Sequence, residues 1–192
     1  MNRLWTTAIL AGGLIGQSAC DRHNGQSSRT DQRQEPAATR TAQTQSSDYD
    51  FLKTAAQANL AEVDTGSLAQ SKAGNADVRK FGQHMVEDHT KANVELNALA
   101  LKKGFTVPTE PDAAHKKDAA RLADLAGADF DRAYMKMMVS DHEKAVSLFE
   151  DNSKNAKDND VRAFAEKMTP DLRNHLKMAR DLSDKLGTSS SP

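Results

Sequence analysis

Two segments of the chain share the pattern Met-Val-x-Asp-His-x-Lys-Ala. One runs from Met85 to Ala92 and contains Asp88 and His89; the other runs from Met138 to Ala145 and contains Asp141 and His142. Corresponding positions lie 53 residues apart. An imidazole beside a carboxylate can ligate a transition metal, carry a proton, or hydrogen-bond across a packed interface. Glu62 upstream and His175 downstream offer the same two kinds of group. What these residues can do depends on the elements that carry them.

Apolar residues recur at helical spacing through most of the chain. They predict four long helices over roughly 48–72, 76–103, 129–155 and 160–186. Ser47 or Asp48 is expected to cap the first. Gly74-Asn75 breaks it from the second, with Asn75 or Asp77 as the next cap, and Gly104 stops the second. Thr109-Glu110-Pro111-Asp112 reads as a capping box for a short helix reaching about Ala126 and ended by Gly127. Lys157 to Asp160 makes the last turn, and Pro170 inside the fourth long helix is expected to kink it. Short, long, short connections point to an all-α, ferritin-like four-helix bundle, its long crossover carrying the short helix between helices two and three.

A second repeat spans the turns. Ser71 to Phe81 matches Ser153 to Phe164 with one insertion, pairing Asp77-Val78-Arg79 with Asp160-Val161-Arg162. It relates the first hairpin to the second, whereas the Asp-His repeat relates the second helix to the third. The turn-spanning match is the better record of a duplicated hairpin.

Depth and face bring the polar residues together. Glu62, His89, His142 and His175 each lie within about one turn of the middle of their helices. His89 continues the ladder Val78, Met85, Ala92, Leu96; His142 continues Met135, Met138, Ala145, Phe149; His175 keeps step with Met168, Leu172 and Ala179. Glu62 follows Phe51, Ala55 and Ala58. All four are expected to face inward, with Asp88 and Asp141 beside them as second-tier candidates. A hydrogen-bonded network that sets helix register is favoured over a metal site. If metal binds, three imidazoles and a carboxylate suit iron, copper or zinc rather than calcium or magnesium. Met85 and Met138 stand one turn before His89 and His142, where core packing is their ordinary use. No Glu-x-x-His occurs, so the ligand set of a ferritin-type dimetal centre is not assembled. His84 with Asp88 is expected to be an exposed pair, His115 a surface residue and His23 part of the tether. No catalytic serine or cysteine arrangement and no phosphate-cradling glycine loop is present.

Residues 1–20 read as an export signal: Arg3, an apolar run from Leu4 to Ile15, then Gly16-Gln17-Ser18-Ala19-Cys20. The lone Cys20 after small residues resembles a lipoprotein lipidation site, with cleavage near Ala19 as the alternative. Residues 21–47 read as a disordered tether, since 14 of the 27 are Ser, Thr, Asn or Gln. Residues 48–187 form the one domain and 188–192 a short tail. Within residues 48–186, 21 Lys and Arg against 24 Asp and Glu are interspersed, so no basic stripe argues for nucleic acid.

The ordered set Asp50-Phe51-Leu52-Lys53, Ala61-Glu62-Val63, Met85 to His89, Asp141-His142 and Pro170-Asp171-Leu172-x-x-His175-Leu176 resembles the exported ferritin-like domain-of-unknown-function family of bacterial (outer) membrane proteins. That resemblance implies the four-helix fold and an envelope location, and no established activity or cofactor. The leading expectation is therefore a non-enzymatic periplasmic bundle, membrane-tethered through Cys20, acting in envelope stress or with an envelope protein partner. The alternative is a metal-binding or redox protein using Glu62, His89, His142 and His175.

Overall fold

The computed structural model describes the backbone of residues 37–188 and the side chains of residues 47–187. The expected signal, Cys20, most of the tether and the end of the tail lie outside them. The described chain is all-α: α1 (Ala37–Lys72), α2 (Ala76–Lys102), α3 (Ala113–Ala123), α4 (Gly127–Asn155) and α5 (Asn159–Thr188). The helices α1 and α2 pack as one hairpin and α4 and α5 as another, while α3 lies in the crossover against α1 and α4.

The apolar core falls into two blocks. Phe51, Leu52, Leu96, Phe149, Val161 and Phe164 fill one end. Val78, Phe81, Met85, Phe130, Tyr134 and Met138 fill the other. The first block takes the early part of α1 and α5 with the late part of α2 and α4, and the second takes the converse. Every pair of neighbouring long helices therefore runs antiparallel, and the crossover returns the chain along the bundle before α4 starts. Between the blocks lies a buried polar belt of Asn59, Glu62, Thr65, His89, His142, Thr169 and His175.

Local expectations are met unevenly. The helix α2 is capped by Asn75, whose side chain accepts from the Asp77 and Val78 amides, and it ends before Gly104, which takes the left-handed φ of 75°. The helix α1 instead begins eleven residues ahead of Asp48, just after Pro36. Ala- and Gln-containing sequence extends a formed helix at little cost, because the nucleus already exists. Asp48 is consequently not a cap of its own helix. It is buried, and its carboxylate accepts from the Lys157 amide at 3.0 Å and the Asp158 amide at 2.7 Å, donors that the α4–α5 turn leaves without helical partners. The short helix starts later than the capping box implied: Asp112, not Thr109, caps it by accepting from the His115 amide. Nor does Gly127 end it; with φ of 60° that residue opens α4. The helix α5 continues through Pro170, and the Thr169 hydroxyl donates to the Ala165 carbonyl at 2.7 Å beside it.

Candidate metal centre

His89 on α2, His142 on α4 and His175 on α5 meet in the polar belt. Their ring centroids form a near-equilateral triangle with sides of 5.8, 5.4 and 5.4 Å. One nitrogen from each lies within 4.8 Å of the others, and all three residues are buried. Each ring is held by a single oxygen. His89 Nδ1 lies 2.9 Å from Asn59 Oδ1, and the Asn59 amide is itself oriented by donating to Asn93 at 3.5 Å. His142 Nδ1 lies 2.9 Å from the Met138 carbonyl. His175 Nε2 lies 3.2 Å from Asp88 Oδ2. Because those oxygens only accept, the facing nitrogens carry the hydrogens. The remaining nitrogens, His89 Nε2, His142 Nε2 and His175 Nδ1, are buried lone pairs without a partner.

Electrostatics keeps the rings neutral. Burial, with the neighbouring His142 and His175, holds His89 well below the ordinary imidazole range. Burial likewise takes His142 down to about 4, with His175 adding to the shift. His175 is also lowered by burial, although its Asp88 hydrogen bond opposes that. Burial works against the charge of Asp88, yet the bond from His175 and the proximity of His84 outweigh it, and the carboxylate stays below its usual range. Three neutral imidazoles, each donating its one N–H to an oxygen, match the outer-shell arrangement of metal-ligating histidines. An unpaired buried acceptor costs about 1–3 kcal/mol, and three occur here within one small volume.

Glu62 stands beside this triangle rather than in it. Its Oε1 is 3.9 Å from His142 Nδ1, and its Oε2 is buried without a partner. Burial, and then the charge of Asp141, raise its pKa to about 8, so it is a neutral acid at pH 7. Asp141 pairs with Lys144 at 2.8 Å at the edge of the site. Glu62, His89 and His142 line a mostly apolar cavity of about 380 Å³ between α1 and α4 that reaches His115 and Asp118 on the crossover. Alanines at 55, 58 and 61 leave that space open along α1.

Several participants escape a reading by periodicity. Asn59 carries no metal-ligand signal, and its role is visible only as an inward polar residue one turn before Glu62. The Met138 carbonyl is invisible in any side-chain pattern. His84 is half-buried instead of exposed, its ring 5.2 Å from that of His175, because Asp88 draws both imidazoles to one carboxylate. His115 lines the cavity instead of standing on a plain surface.

The backbone arrangement has solved counterparts. A DUF305 protein from Streptomyces coelicolor, described provisionally as secreted, superposes with a TM-score of 0.62 at 12% identity, covering 73% of this chain and 93% of its own. A DUF305 fragment from Deinococcus radiodurans gives 0.62 at 15% identity over 73% and 95%. CopM in its Cu(II)-bound form gives 0.61 at 17% identity over 72% and 96%. At such identities the similarity establishes the fold alone. No curated protein matches the sequence. Residues 33–182 match the domain of unknown function DUF4142, and the chain belongs to that family.

Proposed function

We propose that this protein binds one transition-metal ion, copper in the first instance, on His89, His142 and His175. The observation that carries the reading is three buried imidazoles that bring one nitrogen each within 4.8 Å of the others, every ring hydrogen-bonded through one nitrogen and left without a partner at the other. An ion would satisfy all three at once, which a ligand-free network does not. Imidazole donors suit copper, zinc and iron, and the divalent order of affinity peaks at copper. A copper-bound protein of the same fold makes copper the first ion to try. Glu62 would not be a ligand in this reading; it would stay protonated beside the site. The cavity would let a small molecule reach an ion held by His89 and His142.

The same reading places the bundle in the bacterial periplasm, exported by residues 1–20 and tethered through a lipid on Cys20. What supports this is the signal-like start of the sequence together with the provisional secreted description of one structural relative. Among the described residues no helix is long and apolar enough to cross a membrane.

Elemental analysis of the exported protein, purified without chelator and then offered copper, zinc or iron, tests the metal reading. Close to one ion per chain is expected, lost in a His89→Ala, His142→Ala double variant whose helical circular dichroism is intact. Retention of metal by that variant, or no metal in the parent protein, would overturn it.

A further inference from the structure

His175 faces two ways. Its ring packs against those of His89 and His142 with Nδ1 buried and without a partner, while Nε2 bonds to Asp88. The same Asp88 oxygen lies 3.4 Å from His84 Nε2, one turn earlier on α2. The His84 and His175 rings meet edge to face, and donor atoms from His84, Asp88 and His175 all lie within 4.8 Å of one another. Burial separates this cluster from the triangle: the His84 and Asp88 side chains are 40% and 31% exposed, against 3% for His175. Lys91, well exposed, reaches the other Asp88 oxygen at 3.4 Å and can swing away when a cation arrives.

We propose that His84, Asp88 and His175 form an outer divalent-cation site through which the ion reaches the buried triangle. This rests on the metal reading of His89, His142 and His175 and adds the route by which an ion arrives there. Two imidazoles and a carboxylate suit the same late transition metals as the inner site. A neutral imidazole has one lone pair. When an outer ion takes Nε2, the ring hydrogen moves to Nδ1 and His175 is withdrawn from the triangle. When the ion moves inward, Nδ1 ligates and Nε2–H returns to Asp88. One ion therefore occupies one site or the other, and His175 is the shared hinge between capture and storage.

The test is the rate at which the exported protein takes Cu(II) from a chromophoric chelator. His84 is outside the triangle, so His84→Ala should slow loading by about tenfold or more and leave the final stoichiometry at one. His84→Asp, which restores an oxygen donor, should recover much of the rate, as a purely structural role would not. Loading of His84→Ala at the parent rate overturns the proposal and points to the α1–α4 cavity as the way in. If the parent and the His89→Ala, His142→Ala variant load alike, the inner reading has failed, and equilibrium dialysis of that variant decides the outer site separately. Weak Cu(II) binding that disappears on adding His84→Ala keeps the outer site; its absence overturns that too.

Discussion

At one end of the bundle, Asp131 of α4 accepts from the Gly74 and Asn75 amides at 3.1 and 2.9 Å, closing the α1–α2 turn. At the other end Asp48 of α1 does the same for the α4–α5 turn. Asn75 and Asp158 cap the helices that follow, and Arg79 and Arg162 each donate to two carbonyls of their own turn. Each of these pairs is 83 residues apart, the register of the turn-spanning repeat. In the middle of the helices the correspondence stops. Opposite His142 is Asn59, opposite His89 is Leu172, opposite His175 is Ala92, and opposite Glu62 is Ala145. The turns are alike because their exposed backbone donors must be satisfied in one of few ways. The interior is free to differ wherever total volume is kept. The Asp-His repeat thus joins helices that are not counterparts, since α2 answers to α5.

If the two ends share one plan, Asp48→Ala and Asp131→Ala should cost the same. Each removes two charge-assisted hydrogen bonds to backbone amides, about 4 kcal/mol in all, read from urea denaturation. A difference between them larger than the effect of either would break the equivalence.

The middle should show its asymmetry in acid and base. For the metal-free protein, His142 titrates near its ordinary 6.5 when unfolded and near 4 when folded. The unfolded chain binds the proton first, so stability falls as pH drops from about 6.5 to 4, by about 3 kcal/mol from this residue. His89 and His175 act with the same sign. Glu62, raised from 4.5 to about 8, acts oppositely: its contribution is lost as pH rises through that window. Stability should peak near pH 6.5. His142→Asn, which copies its counterpart Asn59, should flatten the acid limb, and Glu62→Gln the alkaline one. An unchanged profile in both variants would show that the belt does not govern the pH response.

Helix spacing differs as well. In the first hairpin a methyl group on Gly82 would lie 2.6 Å from the Ala69 methyl and 2.8 Å from the Gly66 carbonyl oxygen. The second hairpin has Ala165 and Phe149 where the first has Gly82 and Gly66. Gly82→Ala should therefore destabilise by about 2 kcal/mol in thermal or urea melts, although its counterpart already carries the methyl. The smallest expected effect is a gain. Tyr134 buries a hydroxyl without a partner, and its counterpart is Phe51. Tyr134→Phe should leave stability unchanged or raise it by up to about 1 kcal/mol; a clear loss would reveal a partner for that hydroxyl.

Much of this was determined along the chain itself. Periodicity of 3.6 placed four long helices, and Gly74-Asn75, Gly104 and the Lys157–Asp160 turn bounded them closely, because helix stops and caps are local chemistry. The inward face of Glu62, His89, His142 and His175 was legible for the same reason. Tertiary structure decided the rest. It set which nitrogen of each imidazole is tied and which is free, through Asn59, the Met138 carbonyl and Asp88. It set Glu62 beside His142 and joined His84 to His175 through the shared Asp88 carboxylate. It also turned Asp48 from a cap of its own helix into the clasp of a turn more than a hundred residues away. A helical period reports the direction of a side chain from its own axis, but rotamer, tautomer and partner are chosen by atoms that neighbouring helices bring.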